Sequence, residues 1–259
     1  MVQAQPRTGP VITWPPLPDD FKLIDDPVEN IQQPPLAAAL TDALGAAQRI
    51  RPEMLIGSNF GLVAGVDTET VVKAPDWFYV PRANPVPEGL VRRSYTPSLE
   101  GDPVAVVMEF LSADDNGELS IRSLPPYGKL YFYEQILQVP VYVIYEPMRA
   151  RLEVRHLQNG RYELQPADTT GRFWIEPLGL FLGVWRGERL AQTLNWLRWW
   201  DADGNLLLWS AEQAEAERQR AEAERQRAEA ERQRAEAERQ RAERLANLLR
   251  DQGIDPDQI

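Results

Sequence analysis

Asp76 and Glu109 stand as lone carboxylates in two apolar runs, VVKAPDWFYV at 71–80 and PVAVVMEFLS at 103–112. Both runs carry the β-branched and aromatic residues of strands. A carboxylate among buried side chains costs several kcal/mol unless it is paired, protonated or bound to a metal. Lys129 follows in YGKLYFYEQIL, where a helix is expected to begin. Lys129, Phe132, Tyr133 and Ile136 recur at i, i+3, i+4 and i+7, which places the lysine on a core-facing stripe. A cation at a helix start opposes the macrodipole and calls for a compensating anion, which a carboxylate pair or a phosphate would provide. Two acids on adjacent strands with a lysine nearby can hold a divalent cation and a phosphate. The plainer reading makes Asp76 a backbone-bonding residue at a proline bulge and Glu109 a buried ion-pair partner of Lys129. Lysine is scarce: Lys22, Lys73 and Lys129 stand against twenty-five arginines.

Composition narrows the chemistry. The chain has 259 residues, 43% hydrophobic, enough for one good-sized core with an extension. The absence of Cys excludes disulfides, thiolate metal sites and cysteine nucleophiles. The sole histidine, His156, lies in LEVRHLQNGRYEL, which reads as a hairpin through Asn159-Gly160, so a strand-face role is expected for it. Net charge is −11. Segment 211–250 holds ten Glu and ten Arg, so the acidity resides in the remainder. That profile is poor for tight nucleic-acid binding, and a local basic patch would have to come from residues such as Arg92, Arg93 and Arg122. No run of about 18 apolar residues exists to span a membrane. The first residues lack a charged segment followed by an apolar one, so no signal peptide is expected and the cytoplasm is the expected location.

The elements that must position these residues follow from patterning. Residues 34–50 read as a helix opened by Pro34-Pro35, with an apolar stripe through Leu36, Leu40, Ala43, Leu44 and Ala47. Residues 54–66, 71–80 and 103–111 read as three strands in series, with a long Pro-rich loop before the third. A helix at about 127–138 leads to the strand VYVIYE at 141–146, and that crossover allows parallel neighbours. From 150 to 210 come short strands with turn signals, the last a hairpin through Asp203-Gly204. Trp185, Trp196, Trp199, Trp200 and Trp209 cluster there, to fill a small β layer or, as the alternative, to stack on bases or sugars. Tyr127-Gly128-Lys129 lacks the upstream glycine of a phosphate loop. Asp114–Glu118 reads as a polar turn, because it lacks the spacing of a calcium loop.

The tail repeats AEAERQR four times from Ala214 to Arg241. Its residues are strong helix formers. Glu217 with Arg220, Arg218 with Glu222, and Arg220 with Glu224 stand at pairing distance along a helix. The seven-residue period suggests a coiled coil, yet no large apolar residues occupy a and d, so a solvated single helix remains an equal reading. Leu245, Leu248 and Leu249 are the stretch able to zip two tails together. The domain plan is an extended Pro-rich segment at 1–19, an α/β domain at 20–210 and a helical tail at 211–259.

KAPDWFYV, VVMEFLS and YGKLYFYEQILQVPVYVIYEP together resemble a large bacterial family of restriction-endonuclease-like proteins in the PD-(D/E)xK nuclease superfamily. The carrying features are Pro75-Asp76, Glu109-Phe110-Leu111-Ser112, Lys129 with Tyr133, and Val139-Pro140 before an aromatic strand. The resemblance spans about Asp20 to Trp209, and the ending LRDQGIDPDQI is also similar. It implies a restriction-endonuclease-like core, helix-strand-strand-strand-helix-strand, here with added C-terminal β strands and a long charged helical tail. It further implies a metal-dependent endonuclease acting on phosphodiesters, in DNA by expectation. Asp76 and Glu109 would hold Mg²⁺ or Mn²⁺, and Lys129 would act on the attacking water or on developing charge. Glu29 would stand as a further acid of the site. The residue two after Glu109 is Leu111 where the superfamily pattern has lysine, so the lysine must come from the helix. The competing expectation is a catalytically inactive nuclease fold that binds partners through its tail, which would also serve a homodimer or other oligomer.

Overall fold

The computed structural model describes residues 10–18, 20–21, 31–111, 123–124 and 126–251. Contacts divide the chain into two compact units, Met1–Trp209 and Ser210–Ile259.

The first unit is mixed α/β with three sheets. Its centre is a six-stranded sheet in the order β2-β5-β6-β7-β8-β9: Leu55–Gly57, Trp77–Val80, Val106–Phe110, Val141–Glu146, Arg151–Gln158 and Arg161–Leu164. All its pairs are antiparallel except β6 with β7, which run parallel from Val106↔Val141 to Phe110↔Tyr145. The crossover between that pair contains α2 (Lys129–Tyr131), which continues into a π-helical segment, Phe132–Ile136. A three-stranded sheet joins β1 (Ile12–Thr13), β3 (Leu62–Val66) and β4 (Glu69–Lys73). Another joins β10 (Phe173–Ile175), β11 (Leu180–Arg189) and β12 (Gln192–Trp200).

Each face of the central sheet has its own apolar layer. Trp77, Tyr79, Val106, Met108, Val143 and Tyr145 face α1 (Gln33–Ala46) and the β10–β12 sheet. Phe78, Val80, Val107, Tyr142 and Ile144 face the π-helical segment and the β1-β3-β4 sheet. Alternation along each strand sorts the two sets. Burial of each such side chain is worth about 1.5–3 kcal/mol.

The tryptophan cluster is core. The indole N–H groups of Trp199 and Trp209 donate to the carbonyls of Leu40 and Ala39 at 3.2 and 3.1 Å, and that of Trp77 to Thr41 Oγ1 at 3.0 Å. Three donors thus anchor α1 while their rings fill the layer beneath it. Arg198, fully buried, lies over the Trp209 ring at 3.4 Å.

Several expected elements divide. The run 54–66 forms two strands in different sheets, β2 and β3, because Ser58-Asn59 turns the chain with Asn59 left-handed at φ 48°. The run 71–80 likewise splits into β4 and β5. Pro75 has no N–H for a ladder, and the chain changes sheets there. The helix expected over 127–138 is confined to 129–136. The hairpin through Asp203-Gly204 shrinks to one bridge, Trp200↔Leu206, and the longer hairpin is β11–β12, turning at Leu190-Ala191 with φ 54° and 57°. Two non-glycine residues in left-handed conformation leave no Gly or Asn signal to read. The β8–β9 hairpin does turn at Asn159-Gly160, at φ 50° and 76°.

The second unit contains α3 (Ser210–Asp251), 42 residues long, about 63 Å of helix. Glutamate accepts from glutamine four residues on in every repeat: Gln219 to Glu215, Gln226 to Glu222, Gln233 to Glu229 and Gln240 to Glu236. Arg225–Glu222 and Arg239–Glu243 add ion pairs at 3.7 and 3.1 Å. The glutamine ladder is a feature that charge pairing alone had not indicated. Leu245 and Leu248 are 60% exposed.

Candidate functional site

Glu109 is the fourth residue of β6 and shares the face of Val107, toward the π-helical segment. Its exposure is 0%. The side chain has polar company at both oxygens. Lys129 Nζ lies 3.1 Å from Oε2, and the Tyr133 hydroxyl donates to Oε1 at 2.8 Å. Lys129 and Tyr133 are four apart on one helical face, so a single turn delivers both donors. The lysine side chain retains 23% exposure.

Asp76 directly precedes β5 and is buried. The β5–β6 register pairs Trp77 with Met108 and Phe78 with Val107. The ladder ends at the Trp77–Met108 pair, one residue short of Asp76 and Glu109. Beyond that pair the backbone ladder gives way to side chains. Asp76 Oδ2 accepts the Phe110 N–H at 2.5 Å, and Gln33 Nε2 donates to the Phe110 carbonyl at 2.6 Å. Both backbone groups of Phe110 are therefore satisfied beyond the end of β5. Asp76 is thereby oriented by the strand that carries Glu109.

The helical turn is itself unusual. Phe132 N donates to Gly128 O in α-helical fashion, whereas Leu137 N reaches Phe132 O, five residues back. Such π turns recur at functional sites. Here it accompanies full burial of the adjacent Phe132 and Tyr133. Tyr127 and Tyr131 stack at 5.9 Å on either side of Lys129 in sequence. Glu134, buried on this segment, is engaged elsewhere, accepting from Tyr162 N at 2.7 Å and pairing with Arg161 at 3.1 Å.

Of the residues singled out in the sequence, Glu109 and Lys129 form an ion pair, and Asp76 bonds the backbone of Phe110, the residue after Glu109; both contacts are those of the plainer reading, a backbone-bonding Asp76 and a buried Glu109–Lys129 pair. Glu29 lies outside the described residues, as do Arg122 and the 114–118 turn. Arg92 is no surface cation: it pairs with Glu100 and donates to Asn84 O at 2.5 Å, holding the long Pro-rich loop in shape. Tyr133 was legible on the core-facing stripe and in the motif but not as a donor to Glu109, and Gln33 was not legible at all. A glutamine beside Pro34 at a helix start carries no signal of a bond to a residue 77 positions away.

The donor set suits a hard cation. Mg²⁺ is held by one or two carboxylates and fills its octahedron with water and phosphate oxygens, needing neither His nor Cys. Among the described residues no cluster of three or more His, Cys, Asp or Glu could hold a metal, so Asp76 and Glu109 are the carboxylates this region offers. The ammonium of Lys129 already occupies Glu109 Oε2 as a cation would.

A cavity of about 470 Å³ lies on the opposite face of the sheet, lined by Tyr79 and the end of α1, and takes no part in this constellation.

No curated protein and no solved structure matches the chain. Among the described residues no helix is long and apolar enough to cross a membrane. A family model described as "Uma2: Putative restriction endonuclease" matches residues 24–194, two-thirds of the chain and all of the residues just described. The chain belongs to the Uma2 family of restriction-endonuclease-like proteins.

Proposed function

We propose that this protein is a divalent-metal-dependent endonuclease that hydrolyses phosphodiester bonds in DNA. The observation that carries the reading is a buried Glu109 paired with Lys129, with Asp76 bonded to the next residue of the same strand, Phe110. Asp76 Oδ2 accepts the Phe110 N–H, and Lys129 Nζ lies 3.1 Å from Glu109 Oε2. The helical crossover from β6 to a parallel β7 supports this reading, while β3 and β4, between β2 and β5 in the chain, belong to another sheet. Family membership supports the same reaction class.

In this reading Asp76 and Glu109 hold Mg²⁺ or Mn²⁺. When bound, the ion polarises a phosphoryl oxygen and lowers the pKa of a coordinated water. The chain supplies the rest. The Phe110 N–H orients Asp76 and the Tyr133 hydroxyl orients Glu109, while Lys129 would yield Glu109 Oε2 to the ion. Lys129, partly exposed, turns its ammonium to the charge that develops on the phosphoryl oxygens as the water attacks. The buried layer formed by Phe78, Val107 and Tyr142 keeps the floor of the site dry, which strengthens each of these interactions.

The test is nicking of supercoiled plasmid by the purified full chain with Mg²⁺ or Mn²⁺, beside Glu109→Gln and a chelator control. Wild-type nicking that disappears in the variant and with chelator supports the proposal. Equal nicking by both proteins removes Glu109 from the site, and the absence of nicking in both leaves the inactive-scaffold alternative.

A further inference from the structure

The cavity on the α1 side of the sheet has its own chemistry. Tyr79, on β5, is 2% exposed and lines it. The Tyr79 hydroxyl has no hydrogen-bond partner among the described residues and is not sealed from solvent, so it opens onto the cavity. Arg51 is its foremost charged neighbour. Arg49 and Arg51 line the same space, and no carboxylate does. Met54, Ile56 and Leu180 supply an apolar wall. The closing carbonyls of α1 are already taken by backbone donors, Gln48 N to Gly45 O and Arg49 N to Leu44 O, so the helix end presents little acceptor charge to the space. A volume of about 470 Å³ is of the size that takes small organic ligands.

We propose that this cavity binds a small amphipathic carboxylate. Its apolar body sits against Met54, Ile56 and Leu180, and its carboxylate accepts from the Tyr79 hydroxyl and the Arg51 guanidinium. Two guanidinium groups and a hydroxyl with no carboxylate in the lining favour an anion, and charge-assisted hydrogen bonds to it are the stronger kind. Arg51 is free to turn inward because its ion pair with Glu53 at 3.0 Å is solvent-exposed, and such pairs are worth little. This site is independent of the nuclease reading: Tyr79 points to the face opposite Asp76 and Glu109.

The experiment is fluorescence titration of the full chain with dansylglycine, an aromatic carboxylate, and with dansylamide, which lacks the carboxylate. Saturable one-site binding of dansylglycine is expected. Dansylamide, Tyr79→Phe and Arg51→Gln should each weaken it about fivefold or more, the effect of losing one hydrogen bond. Ala47→Trp fills the cavity from the end of α1 and should abolish binding, with its thermal midpoint recorded as a check on folding. Tyr79→Phe and Arg51→Gln alter no packing and keep the test decisive if Ala47→Trp does not fold. The absence of saturable binding, equal affinity for dansylamide, or unchanged affinity in Tyr79→Phe and Arg51→Gln would overturn the proposal.

Discussion

Lys129 Nζ stands 3.1 Å from Oε2 of Glu109, a carboxylate with no solvent exposure. The pair is asymmetric, because the lysine side chain remains 23% exposed and the glutamate side chain is not exposed at all. Removal of the cation strands a buried charge, whereas removal of the anion leaves an ammonium that can turn to water.

Lys129→Met should therefore destabilise the fold more than Glu109→Gln. Breaking a fully buried pair costs about 3–5 kcal/mol, and the lysine's partial exposure reduces this to about 1–3 kcal/mol. Glu109→Gln should cost about 1 kcal/mol, the scale of one hydrogen bond. The double variant should recover part of the Lys129→Met loss. Chemical denaturation of the three variants measures all of this, and a larger loss in Glu109→Gln would contradict the assignment of charge.

Metal affinity should separate the same residues. Calorimetric titration with Mn²⁺ is expected to show binding weakened at least tenfold in Asp76→Asn and Glu109→Gln. Lys129→Met should bind Mn²⁺ as tightly as wild type or more tightly, since the ammonium competes for Glu109 Oε2. Its nicking rate should nevertheless fall by about 10²-fold or more, the scale of a lost catalytic side chain. Loss of Mn²⁺ affinity in Lys129→Met would place the lysine among the groups that build the metal site.

Tyr133→Phe should lower Mn²⁺ affinity or the nicking rate by about 10-fold to 100-fold without touching metal or substrate, because it releases Oε1 of Glu109. Its stability loss should be about 1–3 kcal/mol, the penalty for a buried acceptor left without its donor. A Tyr133→Phe protein with wild-type affinity and rate would confine the hydroxyl to packing.

His156 yields a prediction about pH. Burial lowers its pKa below the usual value of 6.5, against the opposing pull of Glu176, and its buried Nε2 has no hydrogen-bond partner among the described residues. Below 6.5 the unfolded chain takes up the proton before the folded one does. Stability from this residue therefore falls as pH drops through 6.5 and levels off beneath the folded pKa, with no contribution above neutrality. The single histidine C2–H resonance should titrate below 6.5 by proton NMR. His156→Gln should flatten the acid limb of the thermal midpoint between about pH 6.5 and the pKa so measured.

Local patterning made much of the scaffold legible. VYVIYE forms β7 at the residues read for it, LEVRHLQNGRYEL forms a hairpin through Asn159-Gly160, and the helix read at 34–50 is α1, which ends four residues sooner at Ala46. The apolar stripe Phe132, Tyr133, Ile136 is buried as its spacing implies. The places where strands stop were harder to see. VVKAPDWFYV is continuous in hydropathy, and only the missing N–H of Pro75 announces that its halves belong to different sheets. Leu190-Ala191 carries no turn composition, so the β11–β12 hairpin is imposed by pairing along nine residue pairs. The tryptophans were visible as a group, but their fate as anchors of α1 depends on carbonyls 159 and 170 positions away.

The sequence by itself determined which residues can do chemistry and roughly which elements bear them. A carboxylate in an apolar strand is costly wherever the strand goes, and period-2 and helical spacing assign faces without reference to partners. Tertiary structure alone decided that Phe110, next to Glu109, is satisfied by Asp76 and Gln33, and that Lys129 and Tyr133 reach the two oxygens of one carboxylate. Those outcomes depend on register and crossover. A one-residue slip of β5 against β6 would turn Asp76 to the opposite face, and no local preference records the difference.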